Sequence, residues 1–408
     1  MQKLTSLQAV KDIAGTLRRA KENGRTATLL IGAGVSRAGG IPLASELMAQ
    51  VRREFEHRPG VADIDPASPH AYGMAMQCLQ PNERRDLLRP HFQKAKVNWA
   101  NVAVAQLLAQ ELIGTVLTVN FDPLLAKACA LLGVHPAVYD FSQSRADVNL
   151  TNLVRPSIVH LHGQSYGFVL LNSKEETERH REAIAPVMRL SVHQGPLIVL
   201  GYSGGADGVF STLGDCYNGD ERLWWLGYDE TPGAAVETFL KTANCAFTPK
   251  IDADRFLIEL SQSLKIWPPK VFDAPVVHLL DGIETLTAYP TAGESGSTFD
   301  LLARHRRNLE RMRDGEEKRR GEIEELEKLY LEGKYEDAAE QVERALAAGS
   351  SDPDVIDIGY WAANAAGIFV GEQKQHAAAA QWFERASRIS SKGHEALNNW
   401  GIVLARLA

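Results

Sequence analysis

Cysteine is scarce in this chain: only Cys78, Cys129, Cys216 and Cys245 occur in 408 residues, and no two form a Cys-x-x-Cys pair. That spacing argues against a zinc ribbon or a disulfide framework and fits a reducing compartment. Long apolar runs are missing too, so nothing approaches the ~20 residues of a membrane span. The opening segment, with Lys3, Lys11 and Asp12 among its apolar residues, lacks the continuous apolar stretch of a secretory signal. A cytoplasmic protein is expected. Excess positive charge is also absent: 44 Lys and Arg against 51 Asp and Glu give a formal charge of −7. No global field exists to hold nucleic acid or an anionic membrane, and neither is expected as a partner.

What is present is the composition of a globular protein, 45% hydrophobic and 23% charged. The length suits two or three domains. Five short apolar runs recur: Thr28 to Ile31, Val116 to Val119, Ile158 to Leu161, Leu197 to Leu200 and Leu223 to Leu226. Continuous rather than alternating hydrophobicity predicts strands buried on both faces, hence a parallel sheet covered by helices. Ser45 to Phe55 and Trp99 to Glu111 read as crossover helices, and Asp254 to Leu264 as a further helix of this α/β Rossmann-like domain, placed at 1–285.

The pattern then changes. Pro290 to Ser297 is rich in Gly, Ser and Thr, and a charged stretch from Arg304 to Glu325 follows, so 286–320 reads as a linker and a solvated helix. Intrahelical ion pairs with Glu310, Glu316 and Glu317 explain the arginines more simply than an RNA or acidic partner does. Residues 321–408 resemble all-α tetratricopeptide repeats, helix pairs of roughly 34 residues. Gly333, Tyr335, Ala338 and Ala345 fit one repeat, Ala379, Phe383 and Ala386 the next, and Trp400, Gly401 and Leu404 the opening helix of a third. The interval from Ala345 to Ala386 exceeds one repeat and predicts an insertion around Ile368 to Gln375. A last helix without its mate implies a cap, a truncated chain or a subunit interface, because repeats need neighbours.

Four polar clusters follow predicted strands. Gly32-Ala33-Gly34-Val35-Ser36, with Gly40-Ile41-Pro42 beyond, suits backbone approach to a pyrophosphate at a helix start, or equally a tight structural turn. In Thr118-Val119-Asn120-Phe121-Asp122-Pro123, Asp122 fits an N-cap with proline at the first helical position. That leaves Asn120 unexplained, a polar amide at a strand's carboxyl end, where open α/β sheets bind ligands. His160 and His162 are expected on one side of their strand, with His162, before Gly163, at its lip. Gly201, Ser203 and Asp207 form another small polar turn, suited to ribose hydroxyls or phosphate. Convergence on one rim of a parallel sheet is what a nucleotide pocket requires.

In this order the motifs resemble the sirtuin family: Gly32-Ala33-Gly34-Val35-Ser36 with Gly40-Ile41-Pro42, Thr118-x-Asn120-x-Asp122, His162-Gly163, and Gly201-x-Ser203. The resemblance spans roughly Thr28 to Leu226. It implies a Rossmann-type NAD site with Asn120 and Asp122 near the nicotinamide ribose and His162 as catalytic base. Gly32, Ala33, Gly34 and Ser36 would cradle the phosphates, with Gly40, Pro42 and Gly201 lining the site, and Ser203 and Asp207 would contact the adenosine ribose. Leu43-Ala44-Ser45 stands where deacylases carry Asp-Phe-Arg, the four zinc cysteines are absent, and no metal is expected. With the wide interval between Asn120 and His162, these departures resemble the sirtuin-like NADases of bacterial antiphage systems. That branch implies NAD+ as substrate, abortive infection through NAD+ depletion, a homo-oligomer, and a phage protein or partner subunit engaging the repeats. A non-catalytic sensor of NAD or ADP-ribose is the alternative, and a protein deacylase ranks third.

Overall fold

The computed structural model describes residues 2–68, 70–142, 153–165, 167, 171, 174–205, 207–242, 244–287, 301–390 and 393–407. The Pro290 to Ser297 stretch lies outside them. The chain divides into two compact units, Met1–Pro275 and Val276–Ala408.

The first unit is built on eight strands: β1 Gln2–Lys3, β2 Ala27–Ile31, β3 Ile113–Thr118, β4 Ala137–Asp140, β5 Ser157–His160, β6 Leu197–Leu200, β7 Leu223–Leu226 and β8 Cys245–Thr248. They lie in the order β1-β8-β7-β6-β2-β3-β5-β4, and every pairing is parallel. The five apolar runs are β2, β3, β5, β6 and β7, buried along their length as continuous hydrophobicity requires. β1 is only two residues long, and β4 is a half-exposed edge strand, so neither gives an apolar run. β8, Cys-Ala-Phe-Thr, is buried but short and chemically mixed.

Helices cover both faces. Ser6–Glu22, Trp99–Ala109, Leu124–Leu131 and Ala253–Ser263 share one core with Leu29, Val116, Ile158 and Trp224. Arg181–His193, Gly208–Cys216 and Ala234–Phe239 share the other with Leu30, Leu117, Val159 and Val199. Each fully buried aliphatic side chain contributes ~1.5–3 kcal/mol of transfer free energy. The Trp224 indole donates to Asp12 Oδ2 at 3.0 Å, satisfying the polar edge of a buried ring. Between β2 and β3, helices Ala44–Phe55, Ala71–Gln77 and Pro81–Lys94 enclose a separate core around Met48, Val51, Met76 and Leu88.

Chain order reverses about β2: β3 follows it on one side, whereas β6 returns much later on the other. This is a topological switch point, and the crevice outside the carboxyl ends of β2, β3 and β6 is where open α/β sheets bind ligands.

The second unit is helical. Leu301–Leu331 is one continuous helix, so the charged stretch runs on past 320 without a break. Its pairs include Arg313–Glu317 at 3.8 Å, as the intrahelical reading expects, and Arg319 with Asp354 at 2.8 Å. Tyr335–Ala347, Pro353–Glu372, His376–Ile389 and His394–Leu407 follow as successive packed helices, and positions 368–375 span the end of the 20-residue second one and the turn after it. Small residues allow close approach. A Cβ on Gly359 would lie 2.4 Å from Val342 Cγ1, and one on Gly367 would lie 2.7 Å from the Phe383 ring. Among the described residues of both units, no helix is long and apolar enough to cross a membrane.

Candidate active site at the strand ends

After β2 the chain makes two short 3₁₀ turns, Ala33–Val35 and Arg37–Gly39. Gly32 and Gly34 are glycines because another loop lies against them. A Cβ on Gly32 would meet Gly201 O at 2.5 Å, and one on Gly34 would meet Gly201 Cα at 2.8 Å. Gly201, at φ 66°, is equally constrained, since its Cβ would lie 2.6 Å from Val35 N. The Gly34 amide donates to Gly201 O at 3.0 Å, Val35 N to Gly32 O at 3.0 Å, and Ser36 N to Ala33 O at 3.1 Å. The glycine-loop signal therefore has a structural source in the interlock of the β2 and β6 ends. Ala33 and Gly34 are still partly exposed, Ser203 is exposed, and Gly40 (φ 92°) and Pro42 lie beyond the second turn.

Beyond β3, Asn120 is buried, and its Nδ2 donates to Gly32 O at 3.1 Å and Ser36 Oγ at 3.3 Å. It ties the β3 end to the glycine turn. Asp122 Oδ1 accepts the Leu124 amide at 3.0 Å, while its Oδ2 is buried without a partner. The helix starts at Leu124 with Pro123 at the cap position and no side-chain cap bond, so the expected Asp122 N-cap with proline at the first helical position does not form; Asp122 lies one residue earlier and holds the Leu124 amide in a local turn. Burial pushes the Asp122 carboxyl above the ordinary carboxylate range, against the opposing pull of the Leu124 amide, Ser36 and His160.

The two histidines do not share neighbours. β5 ends at His160, so strand alternation does not carry on to His162, and the expectation that they face one side fails for that reason. His160 Nδ1 lies 3.0 Å from Asn120 O, and Asp122 and Asp140 are its acidic neighbours. His162 faces Asp207 and His180, and its Nε2 is buried without a partner. Burial lowers the proton affinity of both; Asp207 opposes this at His162 and His180 reinforces it. Asp207 caps Gly208–Cys216 through Phe210 N at 2.9 Å and accepts from Tyr202 Oη at 2.5 Å, all through Oδ1.

Ser36, Asn101, Thr118, Asn120, Asp122 and His160 line a cavity of about 10 Å³, room for one water molecule. Asn101 Oδ1, like Asp122 Oδ2, is buried there without a partner. Asn101, His180 and Tyr202 were not singled out by sequence. Asn101 lies within a helix that reads as plain core, and the others become polar neighbours only through tertiary contacts. Among the described residues, no group of three or more His, Cys, Asp or Glu is placed to hold a metal ion.

No family model and no curated protein matches the chain. Among solved structures, Sir2Tm bound to a propionylated peptide is similar at 18% identity and a TM-score of 0.38, over 63% of this chain and 99% of that one. A Sir2 homologue in complex with NAD is similar at 16% identity and a TM-score of 0.37, over 65% of this chain and 95% of that one.

Proposed function

We propose that the Met1–Pro275 unit binds NAD+ across the β2, β3 and β6 ends and hydrolyses its nicotinamide–ribose bond. Water attacks the ribose carbon, neutral nicotinamide departs with the electrons of the broken bond, and ADP-ribose and one proton are the other products. Because the leaving group is neutral, it needs no general acid; the site must hold the ribose and accept the proton of water.

The observation that carries this reading is the buried His162 Nε2 that has no partner. A buried unsatisfied nitrogen costs ~1–3 kcal/mol unless a ligand completes it. Burial keeps the ring neutral near pH 7, the state in which it accepts a proton. In this reading Asn120 positions the nicotinamide ribose or the attacking water, and Asp122 steadies the loop or a ribose hydroxyl. Ala33 and Gly34, with Gly32 and Ser36 behind them, receive the phosphates, Gly40, Pro42 and Gly201 shape the pocket, and Ser203 faces the adenosine ribose. Asp207, committed to Tyr202 and its helix cap, lies beside His162 and opposes the lowering of its proton affinity by burial.

The burial of Asn120, Asp122 and His162 supports a gated enzyme, since a substrate must reach side chains that solvent barely touches. Assembly of several chains, or a protein trigger such as a phage protein on the helical repeats, supplies the gate and restricts NAD+ depletion to infection of a bacterial cytoplasm. The test is chromatography of NAD+ incubated with the full chain at low and high protein concentration, with and without an acetyl-lysine peptide. Nicotinamide and ADP-ribose in equal amounts, rising more than linearly with protein and independent of peptide, are expected. Peptide-dependent release would point to a deacylase, and NAD+ bound but intact at every concentration to a sensor.

A further inference from the structure

Behind the glycine turn lies a polar network that the proposed reaction does not use directly. Asn98 occupies the N-cap position of helix Trp99–Ala109, where an asparagine side chain ordinarily caps its own helix. Here it makes no such bond. Asp254, from helix Ala253–Ser263, takes over: its Oδ1 accepts the Ala100 amide at 2.8 Å. Asn98 is thereby released, and its Nδ2 donates to Val35 O at 2.8 Å and to Asp254 Oδ1 at 2.9 Å. Its Oδ1 accepts Asn101 Nδ2 at 2.5 Å, and Asn101 lines the cavity beside Asn120 and Asp122. Every polar atom of the buried Asn98 side chain is thus committed, and one of its bonds goes to the carbonyl that ends the first 3₁₀ turn.

A cap supplied from another helix, with the natural capping residue turned toward a glycine loop, is a local rule broken where two parts of the strand-end rim meet. We infer that Asn98 and Asp254 are positioning residues that fix the Ala33–Ser36 turn for the pyrophosphate of a dinucleotide. The inference rests on the nucleotide-binding reading of the site. Holding Val35 O in place sets the tilt of the Val35–Ser36 peptide unit. Loss of the bond frees the turn, and the penalty falls on ligands that carry phosphate there.

The experiment compares full-length wild type with Asn98→Asp and Asp254→Asn, both nearly isosteric. Asn98→Asp removes the donor to Val35 O, whereas Asp254→Asn keeps an acceptor for Ala100 N and is the milder change. Calorimetric titration with ADP-ribose and with nicotinamide riboside, which lacks the pyrophosphate, reads the effect alongside amide exchange of the peptide spanning Gly32–Ile41. Asn98→Asp is expected to weaken ADP-ribose about tenfold, leave nicotinamide riboside within twofold, and speed exchange in that peptide alone; Asp254→Asn lies between. Equal weakening of both ligands, or unchanged ADP-ribose affinity in Asn98→Asp, overturns the assignment. Wild type that binds no ADP-ribose removes the nucleotide site and this inference with it, a result distinguishable from failure of the brace alone.

Discussion

Two parts of the same rim treat their polar groups in opposite ways. Where β2 and β6 end, backbone packs on backbone: the Gly34 amide meets Gly201 O, and a Cβ on Gly32, Gly34 or Gly201 would collide with main chain. Where β3 and β5 end, Asp122 Oδ2 and His162 Nε2 are buried and left unpartnered. The first half is a rigid frame with its hydrogen bonds satisfied. The second holds groups that need a water or a ligand to complete them, which is where chemistry is expected.

Substitutions can break this contrast. The largest effect is expected from His162→Ala, which removes the proposed base: a 10²–10⁴-fold loss of nicotinamide release is typical for such a group, with the melting temperature little changed. Gly32→Ala acts on the frame instead. Its Cβ would sit 2.5 Å from a backbone oxygen, and the overpacking costs ~3 kcal/mol or more, read by denaturant unfolding. Gly40→Ala has open space around it but a φ of 92°, so strain alone applies and the expected loss is ~1–2 kcal/mol. Equal losses at Gly32 and Gly40 would contradict the close-approach account.

Asp122→Asn should do the reverse and stabilise the fold by ~1 kcal/mol at pH 7. The Asp122 pKa is raised by burial, so its favourable contribution is complete below the unfolded carboxylate value and is lost as pH rises through the folded value. The gain from Asn should therefore vanish when unfolding is measured below about pH 4. Three histidines run the other way. His160, His162 and His180 are all lowered, so their contribution is present above about pH 6.5 and is lost as pH falls through the folded values. Wild type should lose stability on acidification from pH 7 to pH 5, and His162→Ala should lose less. This is the smallest of the expected effects.

Much of the frame was legible in the sequence, because strands buried on both faces write continuous apolar runs; Leu197–Leu200 and Leu223–Leu226 are β6 and β7 residue for residue. β4 was not, since an edge strand needs no such run. Within the site, the tie from Asn120 to the glycine turn was hidden: its Nδ2 donates to Gly32 O and Ser36 Oγ, partners 88 and 84 positions away. The cap from Asp254 to Ala100 spans 154 positions, and no local pattern announces it. The hydrogen bond from Tyr202 to Asp207 was equally hidden, because it exists only once the turn has folded.

The most direct test pairs binding with cleavage in one preparation: NAD+ affinity by calorimetry and nicotinamide release by chromatography, for wild type and His162→Ala at high protein concentration. The account predicts that both proteins bind NAD+ and only wild type releases nicotinamide. Release at the wild-type rate by His162→Ala would contradict it.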